Sequence, residues 1–152
     1  MIGLEHNAWV LVCDGRKALL LQNKGDAIHP RLETRAELSH DVPPSHELGT
    51  DAPGRTFSSA GSGHSAIEPT DLHALEEERF VKRVAARINR DAYDKHVANL
   101  IVVAPARALA VLRREWSPAA QAIIAVEFDK DLVKEPVPAL EKHLKKMLAP
   151  QP

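Results

Sequence analysis

The chain has 152 residues, of which 44% are hydrophobic, and this length and composition predict one globular domain over residues 1–152. Its 20 Lys and Arg nearly balance 21 Asp and Glu for a net charge of -1, so the total charge gives no reason to expect non-specific attraction to nucleic acid or anionic lipid. No basic leader precedes a long apolar segment and no apolar stretch approaches the roughly 20 residues of a membrane span, so we expect a cytoplasmic soluble protein with no membrane partner.

Two apolar runs open the chain, in the stretch WVLVCDGRKALLLQ. Each run is apolar on consecutive residues, which is typical of strands covered on both faces inside an α/β layer structure. Asp14 and Gly15 lie between the runs and predict a tight hairpin with positive φ values. The single cysteine, Cys13, ends the first run, so no intrachain disulfide forms and we expect a buried apolar side chain.

A third, more exposed strand is predicted in PRLETRAELS, with Leu32, Thr34, Ala36 and Leu38 on one side. We expect it at the edge of the sheet. The unpaired backbone groups of an edge strand can pair with a second copy of the chain, so a homodimer is one expected form. Residues 40–69 then show no periodicity and are rich in Pro, Gly, Ser, Asp and His, which predicts a long irregular loop. Loops of that length in compact domains are usually functional or mobile.

The second half alternates helices and strands. A long helix begins near Pro69, with glutamates in its early turns, basic residues later, and a predicted apolar side at Leu72, Leu75, Val81, Val84, Ala85 and Ile88. The strand NLIVVAP follows, then a helix opened by Pro105, the strand AIIAVEF, and a last helix opened by Pro138. This alternation implies parallel strands with right-handed crossovers. The sequence thus predicts a three-layer α/β fold, with a mixed sheet of three antiparallel strands followed by αβαβα, an order found in ribonuclease-H-like folds.

Several stretches together resemble one family. WVLVCDGRKALLL, PGRTFSSAGSGHSAIEP, EEERFVKRVAARIN, NLIVVAPARALAVLRREWSP and VEFDKDLVKEPVPALEKHL are similar to the bacterial host attachment proteins, also described as bacterial relatives of the archaeal and eukaryotic class-one release factors. The resemblance extends from about Trp9 to Leu148. It implies a fold like the middle, catalytic domain of those factors, where a Gly-Gly-Gln loop before a long helix promotes hydrolysis of peptidyl-tRNA.

The corresponding loop of this chain reads Gly61, Ser62, Gly63, His64, Ser65, so the small residues are present and the glutamine is absent. His64 is the one candidate catalytic residue, because an imidazole also hydrogen-bonds or moves a proton near neutral pH. A second interpretation is that exposed backbone amides of the loop bind an RNA phosphate beside the positive end of the following helix. That interpretation assigns the anion site to Arg55, Ser58, Gly61, Ser62, Gly63, His64 and Ser65. A third interpretation is that these small residues only allow the long connection to change direction.

A metal-dependent nuclease is the remaining enzymatic hypothesis. Ribonuclease-H-like nucleases hold metal on carboxylates from the first strand, a helix and a later strand, and Asp14, Glu76 or Glu77, and Asp129 imitate that set. A simpler interpretation places Asp14 in a turn and the glutamates on an exposed helical turn. The eight histidines show no metal-ligand spacing, so we predict no zinc site and no cofactor.

Two functions of different classes follow. The first is a translation-associated module that binds the ribosome or tRNA through the Gly61 to Ser65 loop, with any residual peptidyl-tRNA hydrolysis open. The second is a protein-interaction domain with a protein partner and an indirect role in bacterial attachment to host cells.

Overall fold

The computed structural model describes residues 4–40 and 69–149, which form a five-stranded mixed sheet with four helices. The strands are β1 (Trp9–Cys13), β2 (Lys17–Asn23), β3 (Leu32–Ser39), β4 (Leu100–Ala104) and β5 (Ile124–Asp129). The helices are α1 (Pro69–Tyr93), α2 (Ala106–Glu115), α3 (Pro118–Ile123) and α4 (Val137–Met147). No helix in these described ranges is both long enough and apolar enough to cross a membrane.

The sheet order is β3-β2-β1-β4-β5. Strand β2 pairs antiparallel with both β1 and β3, whereas β4 pairs parallel with both β1 and β5. The predicted α/β fold, with three antiparallel strands before the alternating half, is confirmed. Strand β3 lies at one edge of the sheet, as expected.

Apolar side chains cover both faces of the sheet. Leu11 and Cys13 belong to a buried cluster with α1, α2 and α3, whereas Val10 and Val12 belong to a second cluster with α4. This two-sided burial explains why β1 is apolar on consecutive residues, because each side chain of a central strand meets one helical layer or the other. The three-layer arrangement predicted from the sequence is therefore confirmed.

The turn between β1 and β2 differs from the prediction. No described glycine has a positive φ, so the expected positive-φ hairpin at Asp14 and Gly15 is wrong. Instead, the Asp14 side chain organises the turn: its Oδ1 accepts hydrogen bonds from the backbone N–H groups of Arg16 and Lys17, both at 2.8 Å. The Asp14 N–H also donates to the carbonyl of Lys17 at 2.9 Å. The aspartate therefore closes the turn with its carboxylate.

A β-bulge changes which way β3 faces. Successive residues of β2 pair with Ala36 and then Thr34, so Arg35 is an extra residue in β3. Because an inserted residue shifts the alternation of side chains, Leu32 faces the α4 cluster while Ala36 and Leu38 pack against the α1 cluster. The prediction that Leu32, Thr34, Ala36 and Leu38 share one side is therefore wrong.

The same strand carries features that protect a sheet edge. Glu33, Arg35 and Glu37 are exposed along it, and the bulge twists the edge at Arg35. Exposed charges and bulges are the devices by which proteins oppose strand addition from another chain. These features act against pairing of this edge with a second copy.

Helix α3 was not predicted. Ser117 caps it, because its hydroxyl accepts a hydrogen bond from the backbone N–H of Ala120 at 3.1 Å, and Pro118 occupies the first turn. The helix has only six residues and leads directly into β5, so its apolar residues continue the strand pattern without a break. The two elements are therefore indistinguishable by hydrophobic pattern alone.

Asn23 is a fully buried polar residue at the end of β2. Its Nδ2 donates to the carbonyls of Leu4 at 2.8 Å and Glu5 at 3.1 Å, and its Oδ1 accepts from the N–H groups of Gly25 at 2.9 Å and Arg31 at 2.8 Å. The side chain thus holds the N-terminal segment and the β2–β3 connection together. It satisfies backbone groups that would otherwise be buried without a partner.

Replacement of Asn23 should therefore lower the free energy of unfolding more than replacement of Gln22, a neighbouring residue with an amide side chain. We expect Asn23→Ala to lower the free energy of unfolding by about 3 kcal/mol, because it leaves several buried backbone groups unpaired. Gln22→Ala is the control, since Gln22 makes one exposed 3.4 Å hydrogen bond and should cost less than about 1 kcal/mol. Urea unfolding measures both, and equal losses for the two variants would contradict this role.

Candidate functional site

The carboxyl ends of β1, β4 and β5 meet at one edge of the sheet, because the three strands are parallel. The chain leaves β1 towards β2 on one side and leaves β4 towards β5 on the other. The point between β1 and β4 is therefore the topological switch point of the sheet. In open α/β sheets, ligands bind in the crevice outside the strand ends at such a point.

A groove lies at this switch point, between α1 and α2. Gly15, which follows β1, and Pro105, which follows β4, both line it. Its volume is about 450 Å³. We call this feature the α1–α2 groove. Its position makes it the candidate functional site of the described residues.

Glu77 of α1 packs directly on the turn after β1. A Cβ atom placed on Gly15 would lie 2.9 Å from Cβ, Cγ and Cδ of Glu77, which is closer than real Cβ contacts. Position 15 therefore has no room for a side chain while Glu77 occupies its place. This contact places Glu77 of α1 beside the carboxyl end of β1.

Helix α1 has eight residues N-terminal to Glu77, equivalent to about 12 Å of helix. In this segment Leu72 and Leu75 are 45% and 43% exposed, although the sequence predicts both on the apolar side. That prediction is wrong for these two leucines and right for Val81, which is buried. Leu72 and Val81 are separated by about two and a half turns at about 3.6 residues per turn, so Leu72 lies on the opposite side of α1 from the buried stripe.

The floor of the groove is apolar. It is formed by Ala74 and Val81 of α1 and by Ala108 and Val111 of α2. None of these side chains can form a hydrogen bond. The floor thus favours an apolar group over a polar one.

Charged side chains stand at the rim. Glu78 of α1 accepts from Arg114 of α2 at 3.3 Å and pairs with Lys82 at 3.5 Å. Glu77 and Arg107 also line the groove, and neither forms an ion pair with a described residue. Among the described residues, the rim therefore combines one cluster of ion pairs with one acid and one base that have no ion-pair partner.

The structure separates the three carboxylates of the nuclease hypothesis. Asp14 follows β1 and Asp129 is the last residue of β5, and β4 lies between these strands, which places the two backbones two strand spacings apart, roughly 10 Å. Asp14 uses its carboxylate in the turn, and Glu77 packs its side chain on Gly15. In the described ranges no three His, Cys, Asp or Glu side chains come together in a way that could hold a metal ion.

The predicted loop site lies outside the described residues. Arg55, Ser58, Gly61, Ser62, Gly63, His64 and Ser65 all belong to it. Cys13 is fully buried, as predicted, and burial raises the pKa of its thiol to about 12. A thiol with that pKa is not a nucleophile near neutral pH.

Sequence reasoning missed the α1–α2 groove. One signal was present: Arg107 and Arg114 are seven residues apart on α2, which puts both on one face of the helix. The matching acidic residues on α1 were read as an exposed helical turn. Only the packing of α1 beside α2 shows that the two charged faces meet across an apolar floor.

The turn chemistry of Asp14 gives a direct test of its role. We expect Asp14→Ala to lower the free energy of unfolding by about 1–2 kcal/mol, because two backbone N–H groups lose their acceptor. Asp14→Asn keeps an Oδ1 acceptor in the same place and should retain most of the stability. Urea unfolding of both variants checks this, and an Asp14→Ala variant as stable as the parent chain would overturn the structural role.

Comparison with known proteins identifies the family. No curated protein sequence matches the chain. Among solved structures, S. cerevisiae Dom34, "a translation termination-like factor involved in RNA quality control pathways and interacting with Hbs1", aligns with a TM-score of 0.39 and 11% identity over 97% of this chain. The present chain spans only 38% of that yeast protein, and a likeness this weak carries no argument.

The model of a sequence family gives the decisive match. Bacterial archaeo-eukaryotic release factor family 12 matches residues 7–144, which is nearly the whole chain. The match confirms the release-factor part of the resemblance found in the sequence. The chain belongs to bacterial archaeo-eukaryotic release factor family 12.

Proposed function

We propose that this protein is a translation-associated module that binds the ribosome or tRNA in the cytoplasm. The observation that carries the proposal is its membership of a release-factor family over residues 7–144. The total charge of -1 argues against binding by bulk electrostatics. Binding would therefore depend on a local site.

The loop before α1 is the proposed contact. Gly61, Ser62 and Gly63 have small side chains or none, which favours contact between backbone amides and an anion, and Arg55 adds a positive charge. The loop ends at the N-terminus of α1, a helix of 25 residues whose positive dipole end favours a phosphate. This combination of small residues, one arginine and a helix N-terminus supports a phosphate of RNA as the group recognised.

Peptide release is a separate question from binding. The loop lacks the glutamine of the Gly-Gly-Gln motif, and His64 is the one residue there that would take a proton near neutral pH. We therefore propose binding as the main activity, with His64 as the candidate catalytic residue for any peptidyl-tRNA hydrolysis. A hydrolysis assay is informative only for a protein that binds.

A protein-interaction role is the second candidate. It is favoured by Leu72 and Leu75, two large apolar side chains that are close together on α1 and nearly half exposed. Such a role would fit an indirect effect on bacterial attachment to host cells. It requires a stable protein partner and no RNA.

Co-sedimentation with purified ribosomes across a salt series tests the first proposal. We expect saturable binding that weakens as salt rises, and loss of binding when Gly61, Gly63 and His64 are all replaced by Ala. Arg55→Ala should weaken binding and reduce the salt slope by about one, because it removes one phosphate contact. Arg35→Ala is the matched control, since Arg35 is an exposed arginine on β3 and should leave binding unchanged.

Two results would contradict the proposal. The first is no binding at low salt by the folded protein, which would direct the search to protein partners. The second is binding that Arg55→Ala and Arg35→Ala weaken equally, because such binding would be non-specific.

A further inference from the structure

We propose that the α1–α2 groove binds a small amphipathic anion, a molecule with an apolar ring or chain and one negatively charged group. The proposal does not rest on ribosome binding, because it uses only residues that the structure describes.

The size of the groove suits a small molecule. Its volume of about 450 Å³ falls within the roughly 300–1,000 Å³ of known small-molecule pockets. It also lies at the switch point between β1 and β4, where ligands of open α/β sheets are bound. Two independent features, volume and topology, therefore mark the same place.

The apolar part of the ligand follows from the floor. Ala74, Val81, Ala108 and Val111 offer only hydrocarbon surface. Val81, Ala108 and Val111 are buried, so the floor is part of the packed layer between the two helices. An apolar ring or chain that binds there would be removed from water, and no hydrogen-bonding group of the floor would lose a partner.

The charge of the ligand follows from the rim. Two cations, Arg107 and Arg114, and two carboxylates, those of Glu77 and Glu78, line the groove. Lys82 and Arg114 share the carboxylate of Glu78, so the guanidinium of Arg107 is left without an ion-pair partner among the described residues. A negatively charged group beside Arg107 would form a charge-assisted hydrogen bond.

The orientation of the ligand follows from Glu77. Its carboxylate has no cation as a partner among the described residues, and it stands on the α1 side of the groove above Gly15. An anionic group would be repelled from that side and directed to Arg107 on α2. The first turn of α2 contains no acidic residue to oppose it.

The rim also limits the length of the occupant. The contact between Glu78 and Arg114 joins α1 to α2 across the groove at 3.3 Å. A continuous helix of a partner protein would have to break this contact to lie along the groove. A short molecule in the part of the groove near Gly15 and Pro105 would not. The geometry therefore favours a small molecule over a helical segment.

A matched pair of fluorescent probes tests the proposal on the full chain. The anionic probe is 8-anilinonaphthalene-1-sulfonate, and the neutral probe, N-phenyl-1-naphthylamine, has the same rings without the sulfonate. We expect saturable binding of the anionic probe with one site per chain. The far-ultraviolet circular dichroism of each variant shows whether the protein that binds is folded.

Charge reversal at the rim separates the proposed site from general surface binding. Arg107→Glu should weaken binding of the anionic probe by at least about tenfold and change binding of the neutral probe by less than about twofold. Arg90→Glu is the control, because Arg90 is an exposed arginine in the last turn of α1, far along the helix from the groove. It should leave both probes unaffected.

Filling the floor tests the apolar part. Ala74→Trp places a large ring in the groove and should weaken both probes by at least about tenfold. The proposal is wrong if the folded chain shows no saturable site for the anionic probe, or if Arg107→Glu and Arg90→Glu weaken that probe equally. These two outcomes do not depend on whether Ala74→Trp folds.

Discussion

Helix α1 passes so close to the turn after β1 that a side chain at position 15 would collide with Glu77. A Cβ there would lie 2.9 Å from three carbons of Glu77, so the helix and the turn are in direct contact. This contact sets the position of α1 along the sheet edge. The α1–α2 groove lies beside this contact, because Gly15 and Glu77 both line it.

The candidate functional site of the described residues lies at the carboxyl ends of the parallel strands. Helix α4 covers one face of the sheet through a buried cluster. The edge strand β3 carries a bulge and exposed charges. Residues 55–65 precede α1 in the sequence, and the N-terminal half of α1 lines the α1–α2 groove. This member of the release-factor family lacks the glutamine of Gly-Gly-Gln, but its sequence keeps small residues at 61–63, shortly before a long helix.

The central strands could be predicted from the sequence alone, whereas features that depend on packing between elements could not. Strands β1 and β4 were predictable because their consecutive apolar residues fit only a position between two layers. The bulge at Arg35 was not, since an inserted residue is defined by the pairing partner and not by the strand's own pattern. Leu72 was misassigned because it lies about two and a half helical turns from the buried Val81 and therefore on the opposite side of α1. The groove combines residues from α1, α2 and two strand ends, so no single stretch reveals it.

The position of α1 on the turn after β1 is the central claim, and a double-mutant cycle on Gly15→Ala and Glu77→Gly tests it most directly. We expect Gly15→Ala to destabilise the parent chain in urea unfolding and to cost at least about 1 kcal/mol less in the Glu77→Gly background, where the side chain that blocks the new Cβ is absent. The same cost in both backgrounds would mean that Glu77 does not rest on Gly15, and would contradict the placement of α1 and of the groove beside it.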